Sequence, residues 1–518
     1  MRRNIRNTMW VAPAIVMLLL FRLGVQVALY RAGFLALTAD DFGRAVVAAK
    51  WSQAPTPHWY GVWLPFYAYT FGTALRLKWE LLWVPRLLAI LGGVTSIVLM
   101  YLLASNLFKS QIVGFISAFF LSVNPVHIWL SAVPLTEIPT TVCVLASTWA
   151  VVLYLENPKR RYLFVAAFTL LIANGFRFEA WIASVLLTLT FGGRAVWIYV
   201  KRKDQIREPL TLLVAAAFPW LTPAAWIVGN YLNNGDPFFF AKAVHNYNLH
   251  WYGSDASYDK YVGVFAKIDP YLTTLGLLAI LVCLFLHKRS RSIQWYAAAI
   301  LIPFAIYLLM QGGQPEPPAN DMRYFAMYLF LFYPALGFML VTSVNVIPRE
   351  TLKWGILVLL LAIVATTQIR AAFRFTNDPA ADGLTVGLEI RELRAQNPDI
   401  AARPIMIEVS YWQYLAIHVG ANDMNTLVYD RELDVITRKP QSLLLTDPAR
   451  FQTCLKFYNI SYVIVQDAQL RAIVEEQLHL RPTKEINRYA FYPVSADLLR
   501  AAPTDPAPAC PLPFGSGY

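Results

Sequence analysis

Residues 10–30 read WVAPAIVMLLLFRLGVQVALY and residues 31–41 read RAGFLALTADD, so an apolar run is followed within a dozen residues by the pair Asp40-Asp41. A transmembrane helix needs about 20 mostly apolar residues, and the first stretch supplies them. It is too long for a signal-peptide core and lacks a small-residue cleavage site, so it reads as a retained first span. Two carboxylates just past a span, at a membrane surface, are costly to place without a function.

The rest of the chain agrees with a membrane setting. It has 518 residues, of which 57% are hydrophobic and 15% charged, with mean hydropathy +0.45. A soluble protein would carry roughly 25% charged residues. Apolar segments near 10–30, 82–104, 111–130, 136–155, 161–176, 179–199, 209–229, 271–287, 293–311, 324–343 and 353–370 give about eleven candidate spans. The fold class is therefore a polytopic α-helical membrane protein. Residues 1–370 form the transmembrane part, with a long loop at 31–81, and residues 371–518 form a separate tail. The tail holds 14 Lys+Arg against 17 Asp+Glu, which leaves 30 against 15 in residues 1–370. The excess of +12 thus belongs to the membrane part and points to the positive-inside rule, not to nucleic acid.

With the N-terminus in the cytoplasm, every short inside loop is basic: Lys109; Lys159-Arg160-Arg161; Lys201-Arg202-Lys203; Lys288-Arg289; Arg349 with Lys353. The opposite loops are longer on average and richer in Trp, Tyr, Pro and His. An odd number of spans puts the tail outside, in a plasma (inner) membrane protein. Strand-like runs at Pro404–Val409 and Tyr462–Gln466 alternate in the tail with helix-like runs at Ala381–Gln396, Asp447–Tyr458 and Ala468–Gln477, which predicts a small extracytoplasmic α/β domain with a Pro-rich end from Ala501. Cys454 and Cys510 share this tail and can pair only in an oxidising compartment. In loop 31–81, Phe42, Val46, Val47 and Trp51 recur at helical spacing, which fits either a helix in the membrane interface or one packed on the protein.

Charged residues that enter or border spans cluster on the outer side: Asp40-Asp41, Arg86, Glu137, Arg177, Glu179, Arg323 and, in the outer half of the first span, Arg22. Each has an ordinary role open to it, such as snorkelling, helix capping or a local ion pair. So many ionisable groups at one depth are harder to explain as anchors. The segment 161–176 gives only about 22 Å of helix, short of a ~30 Å apolar core. The bend Asn174–Glu179 then lies below the surface, where irregular backbone is tolerated if it lines a wet cavity. Arginines suit phosphate through a bidentate fork, and carboxylates suit general-base work or metal binding. A lipid-linked sugar phosphate calls for both.

The chain resembles the GT-C superfamily of membrane glycosyltransferases, most of all its protein O-mannosyltransferase and lipid A aminoarabinose transferase group. The matching stretches are Asp40-Asp41, Trp63-Leu64-Pro65-Phe66-Tyr67, Val84-Pro85-Arg86-Leu87-Leu88 with Gly92-Gly93, Asn124-Pro125-Val126-His127-Ile128-Trp129, Thr136-Glu137-Ile138-Pro139 and Arg177-Phe178-Glu179. The resemblance is broadest over residues 1–200. It implies a GT-C fold and inverting transfer of a sugar from a polyprenyl-phosphate donor to a glycan, lipid or protein hydroxyl. It also implies Asp40 as base, with Asp41 where the family has Glu, and Glu137 as an acid that shapes the site or holds a metal. The family often has His-Pro-Pro where this chain has Trp63-Leu64-Pro65. Arg86, Arg177, Arg323 and Arg22 are the candidates for the donor phosphate. Glu179, His250, Trp251 and Tyr252 are the candidates for substrate contacts, and Tyr247 lies in the same loop. Metal use varies across such enzymes; a divalent ion on Glu137 would need His58, His245 or His250, which follow no ligand spacing, so no metal ligand is assigned. A secondary transporter or flippase of a lipid-linked or small anionic solute is the rival reading; it would place its charges near the midplane, usually in repeated halves.

Overall fold

The computed structural model describes residues 11–201, 206–252, 270–311, 322–408, 412–430, 432–433, 440–499 and 510. The chain divides into two compact units. One comprises residues 1–33, 57–67 and 87–375, and the other residues 34–56, 68–86 and 376–518. Loop 31–81, expected with the transmembrane part, therefore contributes two stretches to the unit that holds the tail.

The first unit is helical. Among the described residues seven helices are long and apolar enough to cross a membrane, from Val11–Arg31 to Glu350–Ala372. Helices also occupy the other expected spans, among them Arg160–Phe176, Pro270–Leu286 and Arg291–Gln311. The run 111–130, expected as one span, is instead two helices, Gln111–Val123 and Pro125–Leu130. The residue before a proline is driven out of the helical region, and Asn124 adopts φ −64°, ψ 125°. Its side chain then caps the second helix by accepting from the His127 amide at 2.9 Å. The short helix Arg160–Phe176 ends where Arg177 turns extended (φ −147°, ψ 142°). It packs along Glu137–Glu156 through Ala166, Ala167 and Leu170 against Ala150, Val151 and Tyr154. At Gly175 a Cβ would sit 2.4 Å from the Phe66 ring, so only glycine lets residues 57–67 approach here.

The second unit is α/β. Its five-stranded sheet has the order β2-β1-β5-β7-β6, formed by β1 (Ile405–Glu408), β2 (Leu427–Asp430), β5 (Tyr462–Val465), β6 (Lys484–Ile486) and β7 (Tyr489–Pro493). β1 runs parallel to β2 and β5, with Ile405 opposite both Leu427 and Tyr462. β7 and β6 complete the sheet antiparallel. The short strands β3 (Glu432–Leu433) and β4 (Pro440–Gln441) form a separate ribbon. Side chains alternate across a strand: Met406, Val428 and Val463 enter one core, while Ile405, Ile407, Leu427 and Ile464 enter the other. Both faces are thus covered, as parallel strands require. Cys454 and Cys510 form a disulfide with Cα atoms 5.5 Å apart.

Helix Asp40–Gln53 belongs to this unit. Phe42, Ala45, Val46, Ala48 and Ala49 are buried on it, and it packs against helix Gln413–Ala421. Of the two settings open to it from spacing alone, the structure gives it protein contact.

Candidate functional site

In the first unit, an irregular bend and two helix starts bring four charges together. Glu137 opens its helix and is 1% exposed. Its Oε1 accepts from Arg177 Nη1 at 2.8 Å and lies 3.7 Å from Arg323 Nε. Arg177 also grips Glu179 in a two-point fork, Nε to Oε2 at 3.0 Å and Nη2 to Oε1 at 2.7 Å. A further bond runs from Nη1 to Thr136 Oγ1 at 3.2 Å. Tyr324 lies beside both cations: each guanidinium carbon is 4.8 Å from its ring centroid, and its hydroxyl accepts from Arg323 Nη2 at 3.0 Å. Tyr328 holds the bend by donating to the Glu179 carbonyl at 2.8 Å.

Two guanidiniums against two carboxylates leave this cluster neutral, which is how buried charge is tolerated. Among the described residues, the buried Glu137 Oε2 has no hydrogen-bond partner. A carboxylate oxygen in that state is an acceptor that an incoming hydroxyl can satisfy. The local ion pair left open by the sequence as an ordinary role is the one Arg177 and Glu179 form. Sequence spacing could not show Tyr324, whose one signal is adjacency to Arg323.

The acidic pair lies in the second unit. Asp41 is buried, and its Oδ2 accepts from the amides of Leu37 at 2.7 Å and Thr38 at 3.3 Å. Asp40 is half-buried at the helix start. Arg86 is buried, donates to the Leu35 carbonyl and lies over the Trp83 ring. Arg22 is in the first unit, fully within helix packing. It donates to Gln26 Oε1 at 2.7 Å and, at longer range, to the His127 and Ile128 carbonyls. His250, Trp251 and Tyr252 close helix Phe239–Tyr252, but their side chains, with that of Tyr247, lie outside the described residues. Among the described residues no group of three or more His, Cys, Asp or Glu side chains is placed to hold a metal.

This helical unit, with an α/β unit built on a late segment of the chain, defines a class: the chain has the fold of the GT-C superfamily of membrane glycosyltransferases. Residues 62–226 match the family described as dolichyl-phosphate-mannose-protein mannosyltransferase. ArnT from Cupriavidus metallidurans, solved bound to undecaprenyl phosphate, superposes with a TM-score of 0.59 at 14% identity, covering 93% of this chain and 98% of that one. The oligosaccharyltransferase of Archaeoglobus fulgidus, solved with a tethered acceptor peptide, gives 0.52 at 13% identity over 90% of this chain and 71% of its own. No curated protein sequence matches the chain.

Proposed function

We propose that this protein is an inverting glycosyltransferase that moves a sugar from a polyprenyl-phosphate carrier to an acceptor hydroxyl on the extracytoplasmic face. The observation that carries the reading is the buried cluster in which Arg177 and Arg323 share Glu137 and the Tyr324 ring. Preorganised guanidiniums suit the charge that develops on a departing phosphate. The matched family uses dolichyl phosphate mannose by its description, and ArnT was solved with undecaprenyl phosphate; both support a lipid phosphate as leaving group. The Cys454–Cys510 disulfide supports an outside location for the second unit.

In the proposed reaction the Asp40 carboxylate takes the acceptor proton. The acceptor oxygen attacks the anomeric carbon as the bond from that carbon to the phosphate oxygen breaks, and polyprenyl phosphate leaves with the electron pair. Glu137 and Glu179 hold Arg177 in place, and Arg177 and Arg323 meet the leaving phosphate. The acceptor is a glycan, lipid or protein hydroxyl. Transport is disfavoured because the buried charges gather at helix starts and a bend, not on unwound helices in repeated halves.

The test is transfer from polyprenyl phosphate mannose by purified protein in lipid nanodiscs. Asp40→Asn should lower turnover about 10²- to 10⁴-fold, the usual yield of a general base, with thermal stability retained. Transfer at the wild-type rate in that variant would overturn the assignment of Asp40. Uptake of labelled solute into vesicles, with no transfer, would favour the transporter.

A further inference from the structure

Four consecutive backbone amides precede the acidic pair, and two side chains hold all four. Leu37 and Thr38 donate to Asp41 Oδ2. Leu35 and Ala36 donate to Asn377 Oδ1, at 2.7 and 3.3 Å. The carbonyls are held as well: Leu35 O by Arg86, and Ala36 O by the Asp378 amide at 3.2 Å. Buried backbone polar groups need partners, and this turn has no strand or helix to provide them. Asn377 lies 342 positions from Leu35 in the sequence, just after the last span.

The same unit braces the stretch 68–86 in a similar way. Asn422, at φ +54°, accepts from the Leu81 amide at 2.9 Å through Oδ1 and from Trp79 Nε1 at 3.2 Å through its carbonyl. Arg391 pairs with Glu80 at 3.3 Å. The tail is thus bonded by side chains to both stretches of loop 31–81 that share its unit.

We propose that Asn377 is a positioning residue for the acidic pair: it clamps the Phe34–Thr38 turn, which sets where helix Asp40–Gln53 begins and so where the Asp40 carboxylate stands. The role in turnover rests on the function proposed above. Asp41 is committed to the turn by its Oδ2, which divides the work of the pair: Asp41 shapes the turn and Asp40 meets the acceptor. Arg86, expected at the donor phosphate, serves the same turn from the other side. A misplacement of about 1 Å at a reacting group costs on the order of a hundredfold in rate, so a lost clamp should act on turnover more than on donor binding.

The experiment compares wild type, Asn377→Ala, Asn377→Asp and Asp40→Asn in nanodiscs, by hydrogen–deuterium exchange over residues 33–44 and by transfer from polyprenyl phosphate mannose. Asn377→Ala should raise exchange at Leu35 and Ala36 at least tenfold. It should lower kcat by about ten- to a hundredfold, with KM for the donor within twofold. Asn377→Asp, which keeps the accepting oxygen, should restore both. Unchanged exchange in Asn377→Ala overturns the clamp. Raised exchange with wild-type kcat overturns its role in turnover, as does a loss that Asn377→Asp fails to restore. Wild-type transfer by Asp40→Asn fails the underlying reading instead, and the exchange data then judge the clamp separately.

Discussion

At the scale of single residues, three buried titratable groups in the α/β unit act on stability in opposite senses. Glu408 and Asp430 end β1 and β2 directly opposite each other. Asp430 accepts from Ser442 Oγ at 2.5 Å and from the Leu444 amide at 2.8 Å. Burial nevertheless pushes its carboxyl up to about 6, with the Glu408 charge adding to the rise. Burial raises Glu408 as well, against the pull of the Gln466 and Asp467 amides and of Arg471, while the Asp467 charge adds to the rise. His418, between the Asp423 carbonyl and the Tyr429 hydroxyl, is pushed down to about 4 by burial, with Lys50 adding to the fall and Asp423 opposing it. A carboxyl raised in the folded state favours folding at low pH, and that benefit is lost as pH climbs through 6. A histidine lowered in the folded state favours folding above 6.5, and that benefit is lost as pH falls towards 4. Asp430 and His418 each swing stability by roughly 3 kcal/mol, so these two trends largely offset between pH 4 and 6. Asp430→Asn removes one of them. Its stability, read from exchange of the Ile405–Glu408 amides, should then fall on acidification from pH 6.5 to 4.5 more steeply than that of wild type.

At the scale of elements, close packing decides more than propensity. Helices Asp382–Gln396 and Gln413–Ala421 cross at glycines: a Cβ on Gly383 would lie 2.2 Å from the Gln413 carbonyl, on Gly387 2.4 Å from that of Ile417, and on Gly420 2.5 Å from that of Leu384. Glycine inside a helix costs about 1 kcal/mol relative to alanine; here it permits backbone contact. Gly387→Ala should therefore destabilise the unit by about 1–3 kcal/mol, as overpacking does, although alanine is the better helix former. Chemical denaturation followed by exchange in residues 405–430 measures this, and a gain in stability would contradict the packing argument. The helices themselves were legible from period and punctuation: Ala381–Gln396, Asp447–Tyr458 and Ala468–Gln477 are matched within a few residues by Asp382–Gln396, Pro448–Phe457 and Ala468–Glu476. The break at Asn124-Pro125 was legible in principle from the proline, but an unbroken apolar run masked it.

At the scale of the whole molecule, the four cysteines divide between the two units. Cys143 and Cys283 are free, and Cys454 is bonded to Cys510. Thiol titration of the denatured chain should count two reactive groups, rising to four after reduction. Cys454→Ser should lower the stability of the α/β unit by about 4 kcal/mol, the scale for a closed loop of this length. Four thiols before reduction would place the tail in a reducing compartment and count against the proposed orientation.

The sequence by itself determined the membrane class, the helical segments, the α/β character of the tail and the residue types that could do chemistry. Those follow from local hydropathy, period and charge, which need no knowledge of what lies far along the chain. Only the tertiary structure decided the company each charge keeps. Glu137 meets Arg177 across 40 positions, and the turn before Asp40 is held by Asn377 across 342. Burial requires partners for every charge and backbone amide, but nothing in a linear pattern says which distant residue will supply them.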